Sequence, residues 1–265
     1  MPTLILPPRF TDDTNLVRKA AIHAGWKVER LPSWRVPEDL VGPDLVLYGE
    51  PLFAAVVADS LNLSLIEPSF DWLTTIPSRF IRRSIRFATL AQARTVDCRS
   101  FIKPADDKCF RAQVYDSGRD LPTFETLPAE TPVLISNPVD WTVEFRCFVL
   151  NRRLQTLSPY SRNGDLAQGA NGDWPASDTE IHQATEFIEQ VLADNSVMLP
   201  PAVVVDVGII GDMGWAVVEA NPAWGSGIYG CDPLQVLPVL ERCSIDSDSL
   251  SDGDRRWIPQ RRIGT

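Results

Sequence analysis

Between Val203 and Gly230 the chain reads VVVDVGIIGDMGWAVVEANPAWGSGIYG, two strongly apolar runs, the first broken by one acid and the second ending in an acid and an amide. Alternate residues of a strand project to the same face. Glu219 and Asn221 therefore point together, and a hairpin turned at Gly211-Asp-Met-Gly214 lays Asp206 beside them. Carboxylates set into runs as apolar as Val203, Val204 and Val205 or Ala216, Val217 and Val218 cost several kcal/mol if they are buried unpaired. A hard cation bound by oxygens removes that cost. The stretch thus reads as a magnesium site built from Asp206, Glu219 and Asn221, next to a nucleotide.

The rest of the chain restricts the chemistry around such a site. At 265 residues, 44% of them hydrophobic, the chain is long enough for one large domain or two modest ones with a substantial core. A formal charge of −10 argues against a nucleic-acid-binding surface. The five cysteines are odd in number and contain no CxxC pair, which argues against a disulfide framework and a zinc site and fits reduced cytoplasmic thiols. His23 and His182 are the sole histidines, so a Ser-His or Cys-His nucleophile has little to draw on. No stretch approaches the roughly 18 apolar residues of a membrane span, and MPTLILPPRF has no basic n-region. The expectation is a soluble cytoplasmic protein with neither nucleic acid nor membrane as partner.

Strand and helix patterns alternate through the first ninety-odd residues: strands at Thr3 to Leu6, Lys27 to Leu31, Asp44 to Tyr48 and Ser64 to Ile66, and helices at Thr11 to Ala24, capped in TDDT, and Pro51 to Ser60. That alternation implies a parallel sheet with crossovers, a Rossmann-like module. Its first turn is Pro7-Pro-Arg-Phe10, without the dinucleotide glycines. Ser78 to Arg94 reads as a basic amphipathic helix carrying Arg79, Arg82, Arg83 and Arg86 mostly on one side. From about Arg99 the pattern is antiparallel, with strands at Ser100 to Lys103, Phe110 to Tyr115, Pro132 to Ser136, Thr142 to Leu150 and Leu154 to Tyr160. A capping box, Ser177-x-x-Glu180, then opens a helix whose core stripe is Ile181, Ala184, Phe187, Ile188, Val191 and Leu192. After Cys243 the chain becomes a Ser/Asp-rich linker, read as mobile, and a basic segment around Trp257. The division expected is 1–95, 96–243 and 244–265.

Two further pieces supply cations. Phe101-Ile-Lys-Pro-Ala-Asp-Asp-Lys108 sets Lys103 and Lys108 near one turn, and Trp141-Thr-Val-Glu-Phe-Arg-Cys-Phe148 puts Glu144 and Arg146 on one strand face. Lysine and arginine for phosphates beside acids for magnesium is the division of labour that phosphoryl chemistry uses. On FIKP, WTVEFRCFV, D-x-G at Asp206 to Gly208 and E-x-N-P at Glu219 to Pro222, the sequence resembles the ATP-grasp superfamily, and more narrowly its arginine-plus-two-lysine clade. The resemblance spans nearly the whole chain. It implies an α/β and α+β protein: a Rossmann-like pre-ATP-grasp module, then an ATP-grasp fold whose ATP cleft lies between two α+β lobes. Carried over, it implies that Lys103 and Lys108 contact the phosphates, with Lys103 also on the adenine side, that Glu144 binds ribose and Arg146 phosphate, and that Asp206, Glu219 and Asn221 hold magnesium. Val133 to Val139, with Ser136 and Val139, is implied as the adenine hinge; Arg146 and Lys108 are the implied catalytic cations.

The function that follows is ATP- and magnesium-dependent joining of a small-molecule or peptide carboxylate to an amine through an acylphosphate, by a monomer or homodimer. A small-molecule kinase and a non-catalytic nucleotide binder are the alternatives. Acceptor specificity is expected from the amino-terminal module, Arg79 to Arg86, Tyr160-Ser-Arg162 and the Trp224 to Tyr229 loop, whose arginines suggest an anionic acceptor. Gly225-Ser-Gly-Ile-Tyr-Gly230 fits G-x-G-x-x-G, but no βαβ unit with an acid ending a second strand follows it, so it is read as a substrate-bordering loop.

Overall fold

The computed structural model of the protein describes residues 1–42, 44–105 and 109–259. Strand β1 (Thr3–Leu6) buries Leu4, Ile5 and Leu6 completely, and helix α1 (Asp12–His23) returns the chain to β2 (Lys27–Arg30), parallel to β1. The helix starts at a reciprocal capping box: Thr14 N donates to Thr11 Oγ1 at 3.1 Å and Thr11 N to Thr14 Oγ1 at 3.0 Å. Strand β3 (Leu45–Leu47) adds parallel on the other side of β1, giving the order β2-β1-β3. Helix α2 (Pro51–Ser60), with proline in its first turn, leads to β4 (Leu63–Leu65). The sequence implied that this strand joins the parallel sheet; instead it pairs antiparallel with a strand from the far end of the chain.

Two single-turn helices follow, α3 (Trp72–Thr75) and α4 (Ser78–Ile81), and the basic helix expected over 78–94 does not form. Arg82 turns left-handed (φ 50°) and ends α4, after which the chain runs as β5 (Ile85–Thr89) into the single turn α5 (Leu90–Ala93). Ile85-Arg-Phe-Ala-Thr89 suits a pleated surface, and Pro132–Ser136 offers it an antiparallel partner. Strands β6 (Ser100–Pro104), β7 (Gln113–Tyr115) and β8 (Pro132–Ser136) complete a sheet ordered β5-β8-β6-β7. One face rests on its own small core, which includes Leu90, Ile102, Val133 and Ile135. By register the other face carries Phe101, Lys103, Leu134 and Ser136.

A second antiparallel sheet is built from β9 (Trp141–Leu150), β10 (Arg153–Arg162), β11 (Asp165–Leu166) and, after helix α6 (Asp178–Ala193), β12 (Ala202–Ile210) and β13 (Gly214–Asn221). Its order is β11-β10-β9-β12-β13. Asn151 (φ 47°) and Arg152 (φ 61°) form the tight turn between β9 and β10. Arg152 is held in this unusual conformation by donating to Leu192 O (2.9 Å), Asp194 O (2.7 Å) and Val197 O (2.8 Å), which covers carbonyls at the end of α6. Helix α6 opens on the Ser177/Glu180 capping box and buries Ala184, Phe187, Ile188, Val191 and Leu192. Ile181, expected in that stripe, is 41% exposed: the first turn lies against Arg162, which pairs with Glu180.

Helix α7 (Pro233–Cys243) packs on α1, β3, β9 and β12, so the amino-terminal sheet and the five-stranded sheet share one continuous core. The chain then forms β14 (Ser244–Asp246), the antiparallel partner of β4, and helix α8 (Asp252–Arg255). The stretch read as a mobile linker is thus part of the fold. Leu47 N donates to Ser244 Oγ (3.0 Å), Glu67 N to Trp257 O (2.9 Å), and Trp257 is buried. No helix among the described residues is long and apolar enough to cross a membrane.

Candidate active site

Three neighbouring strands of the five-stranded sheet set one charged residue each in a single row: Arg146 on β9 opposite Asp206 on β12, and Asp206 opposite Glu219 on β13. Asp206 is fully buried and Arg146 nearly so. They pair at two points, Nε to Oδ1 at 3.0 Å and Nη2 to Oδ2 at 2.7 Å, the fork geometry that best offsets the loss of water around buried charges. Burial works against the charge on Arg146, but the Asp206 carboxylate outweighs it and raises the guanidinium pKa above its ordinary value. Asn221 Nδ2 donates to Asp206 Oδ2 (3.2 Å) and Glu219 Oε1 (3.0 Å), so the three oxygen-bearing residues form one hydrogen-bonded cluster.

Lys103 reaches this cluster from β6, in the opposite sheet, and ion-pairs with Glu219. Burial alone would raise the Glu219 pKa; the Lys103 charge and hydrogen bond prevail and hold it at about 2. Glu144 lies one row along on β9 and accepts from Tyr160 Oη at 2.8 Å, while burial raises its pKa. Opposite it stands Gly208, where a Cβ would fall 2.6 Å from Val143 O and 2.9 Å from the Trp141 ring. Only glycine fits there, which accounts for the glycine of D-x-G. Ser136 ends β8 on the same face as Lys103, and Val139 lies half-buried in the link 137–140 that joins the two sheets. Lys108 lies outside the described residues.

A β-bulge separates the Asp206–Glu219 pair from the Val207–Val217 pair and leaves Val218 without a partner residue in the register. Arg83 caps it, donating from Nη1 to Val217 O (2.8 Å) and from Nη2 to Val218 O (2.9 Å), with its guanidinium over the Trp141 ring at 5.0 Å. Burial lowers the Arg83 pKa to about 10. Arg79 pairs with Asp194, Arg82 Nε donates to Trp215 O (2.8 Å), and Arg162 grips Glu180 at 2.6 and 3.0 Å. Each of these four guanidiniums bonds within the protein, whereas Arg86 lies exposed on β5.

The glycine-bearing loop after β13 leans on the amino-terminal module. Gly49 N donates to Trp224 O (3.0 Å), Tyr48 Oη to Ser226 O (2.9 Å), and Ile228 N to Asp13 Oδ1 (3.2 Å). Arg146 Nη1 meets the same loop at Gly227 O, 3.0 Å away. Its guanidinium also faces the rings of Tyr229 (4.9 Å) and Tyr160 (5.2 Å), which stack on each other. Sequence reasoning took Asp13 for part of a helix cap; Thr11 and Thr14 make that cap, and a spare acid in an already capped turn was the one available signal. Burial raises the Cys147 thiol and pushes Cys231 and Cys243 up to about 12, so none of the three is a thiolate nucleophile near neutral pH.

Residues 80–239, more than half of the chain, match the family model of an ATP-grasp domain of the arginine-plus-two-lysine clade, family 2. The chain belongs to this ATP-grasp family. No curated protein matches it at the level of sequence. Among solved structures, the D-cycloserine synthetase DcsG resembles it at TM-score 0.55 and 14% identity, covering 91% of this chain and 99% of that one. An L-amino acid ligase from Bacillus licheniformis has TM-score 0.55 at 13% identity over 95% of this chain and 77% of its own. The N5-carboxyaminoimidazole synthetase from Staphylococcus aureus has TM-score 0.54 at 12% identity, over 93% and 78% respectively. At such identities the likeness speaks for the fold, which is the ATP-grasp fold.

Proposed function

We propose that the protein is an ATP- and magnesium-dependent ligase that joins a carboxylate to an amine through an acylphosphate. The observation that carries this reading is the Arg146–Asp206–Glu219 row with Lys103 reaching it from the opposite sheet, which gathers cations and oxygen donors where the two antiparallel sheets meet. In this reading residues 1–95 are the pre-ATP-grasp module, 96–243 the ATP-grasp domain and 244–265 a carboxy-terminal extension. The fold is shared with a ligase and two synthetases, names that favour ligation.

The donor set suits magnesium: two carboxylates are bridged by the Asn221 amide, which donates from Nδ2 to both here and would turn its oxygen to a bound ion. No group of three or more His, Cys, Asp or Glu side chains suited to a metal forms among the described residues; the third donor here is the Asn221 amide. Glu219 and Asn221 would hold the ion from the cleft side, with Asp206 beneath them on Arg146. Magnesium, when bound, supplies charge neutralisation at the transferring phosphates.

Arg146, Lys103 and Lys108 would contact phosphate oxygens, Glu144 the ribose, and Ser136 and Val139 would flank adenine. The γ-phosphoryl group passes to a carboxylate oxygen and ADP leaves. The amine nitrogen then attacks the acyl carbon, inorganic phosphate departs, and the amine loses a proton. No protein nucleophile takes part, and the work is positioning and electrostatics. The test is turnover: purified protein with ATP, magnesium and panels of amino acids and short peptides should release ADP and phosphate together with a condensed product. A phosphorylated acceptor without condensation would make it a kinase, and no acceptor-dependent ADP release would remove the enzymatic reading.

A further inference from the structure

We propose that Asp13, from the amino-terminal module, is a positioning residue that fixes the Arg146 guanidinium through the loop 226–229; the functional part of this inference rests on Arg146 as a phosphate contact.

Asp13 has no part in the capping box of its own helix, which Thr11 and Thr14 close between them. Its carboxylate faces the loop instead and accepts from the backbone amide of Ile228 at 3.2 Å. A carboxylate that accepts from a backbone N–H makes a charge-assisted, directional tie. Tyr229 is held left-handed (φ 49°), a conformation a bulky side chain adopts only where its surroundings impose it.

Gly227, between these contacts and the rest of the loop, is the close-approach point. A Cβ there would stand 3.0 Å from Asp13 Oδ2 and 3.8 Å from Arg146 Nη1, so the acid of one module and the guanidinium of another converge on the same residue. The Gly227 carbonyl then accepts from Arg146 Nη1 (3.0 Å), which gives the guanidinium its third anchor beside the two on Asp206. The other ties from the module, Gly49 N to Trp224 O and Tyr48 Oη to Ser226 O, stop one residue short of Gly227. Asp13 is what carries the module's grip onward to residues 227–229 and so to Arg146.

The test combines side-chain NMR of Arg146, assigned by its loss in Arg146→Lys, with calorimetric titration of the full chain by AMPPNP and magnesium. Asp13→Asn should broaden or shift the Arg146 guanidinium N–H signals and speed amide exchange at Ile228. It should also weaken AMPPNP about tenfold, the scale of one charge-assisted contact. Gly227→Ala, which pushes on the same point, should do likewise. Val17→Ala, which loosens the core packing of the same helix a turn beyond Asp13, should lower the melting temperature and leave both Arg146 signals and affinity unchanged. Unaltered Arg146 signals in Asp13→Asn overturn the proposal, as does faster exchange with unaltered nucleotide affinity. A wild-type protein that binds no AMPPNP defeats the nucleotide reading instead, and the NMR comparison still decides whether Asp13 positions Arg146.

Discussion

Arg83 binds the carbonyls of Val217 and Val218 immediately before Glu219, so one guanidinium sets the local twist of the strand that presents a key carboxylate. Arg83→Met removes three charge-assisted hydrogen bonds, to Ile81 O, Val217 O and Val218 O, and should cost about 2–3 kcal/mol in urea unfolding. Arg83→Lys, a point charge in place of a fork, should recover less than half of that loss. Asp206, Glu219 and Asn221 were legible in the sequence because polar residues inside strongly apolar strands are anomalous. Arg83 and Asp13 were not. The left-handed break at Arg82 occurs at a residue that does not announce it, and Asp13 stands among cap-forming neighbours whose own pattern explains the acid away.

At the scale of the element, α6 carries its own contrast. Ile188 is fully buried and Ile181 is not, so Ile188→Ala should lose about 2–5 kcal/mol, whereas Ile181→Ala should stay within about 0.5 kcal/mol, both read by chemical denaturation. The cap of the same helix also predicts a pH dependence. The hydrogen bond from Arg162, against some opposing burial and helped by Ser177, holds Glu180 at about 2, below its ordinary 4.5. A lowered carboxylate pKa stabilises the fold above the unfolded value and loses that contribution as pH falls from 4.5 toward 2. Thermal melts should therefore show a shallower decline across that window in Glu180→Gln than in the wild type. The capping box and strand alternation made α6, β8 and β9 readable. The segment 78–94 was misread because its arginine spacing mimics a helix face, while the strand pairing that decides its fate lies some fifty residues away.

Across the whole molecule, the amino-terminal module and the segment after α7 are tied together by β4 and β14 and by the core that α7 shares with the amino-terminal and five-stranded sheets. Ending the chain at Cys243 removes β14 and the buried Trp257, and should destabilise the protein by on the order of 3–5 kcal/mol, measured as a lower melting midpoint. Nothing local in a Ser/Asp-rich stretch signals such a partner, which is why composition alone read it as a linker. The passage from parallel to antiparallel pairing was visible, though it comes earlier than residue 99, since β5 already pairs antiparallel with β8; the joint core of the amino-terminal module and the five-stranded sheet was not, because it depends on where α7 docks.

In the proposed function the Arg146–Asp206–Glu219 row and Lys103 make a magnesium-nucleotide site. Calorimetric titration with AMPPNP, with and without magnesium, in the wild type and Glu219→Ala, tests it most directly. Binding should be saturable, require magnesium and fall at least about tenfold in the variant, the loss expected when one ligand of an ion-bridged contact is removed. Equal binding by both proteins, or none by the wild type, would contradict it.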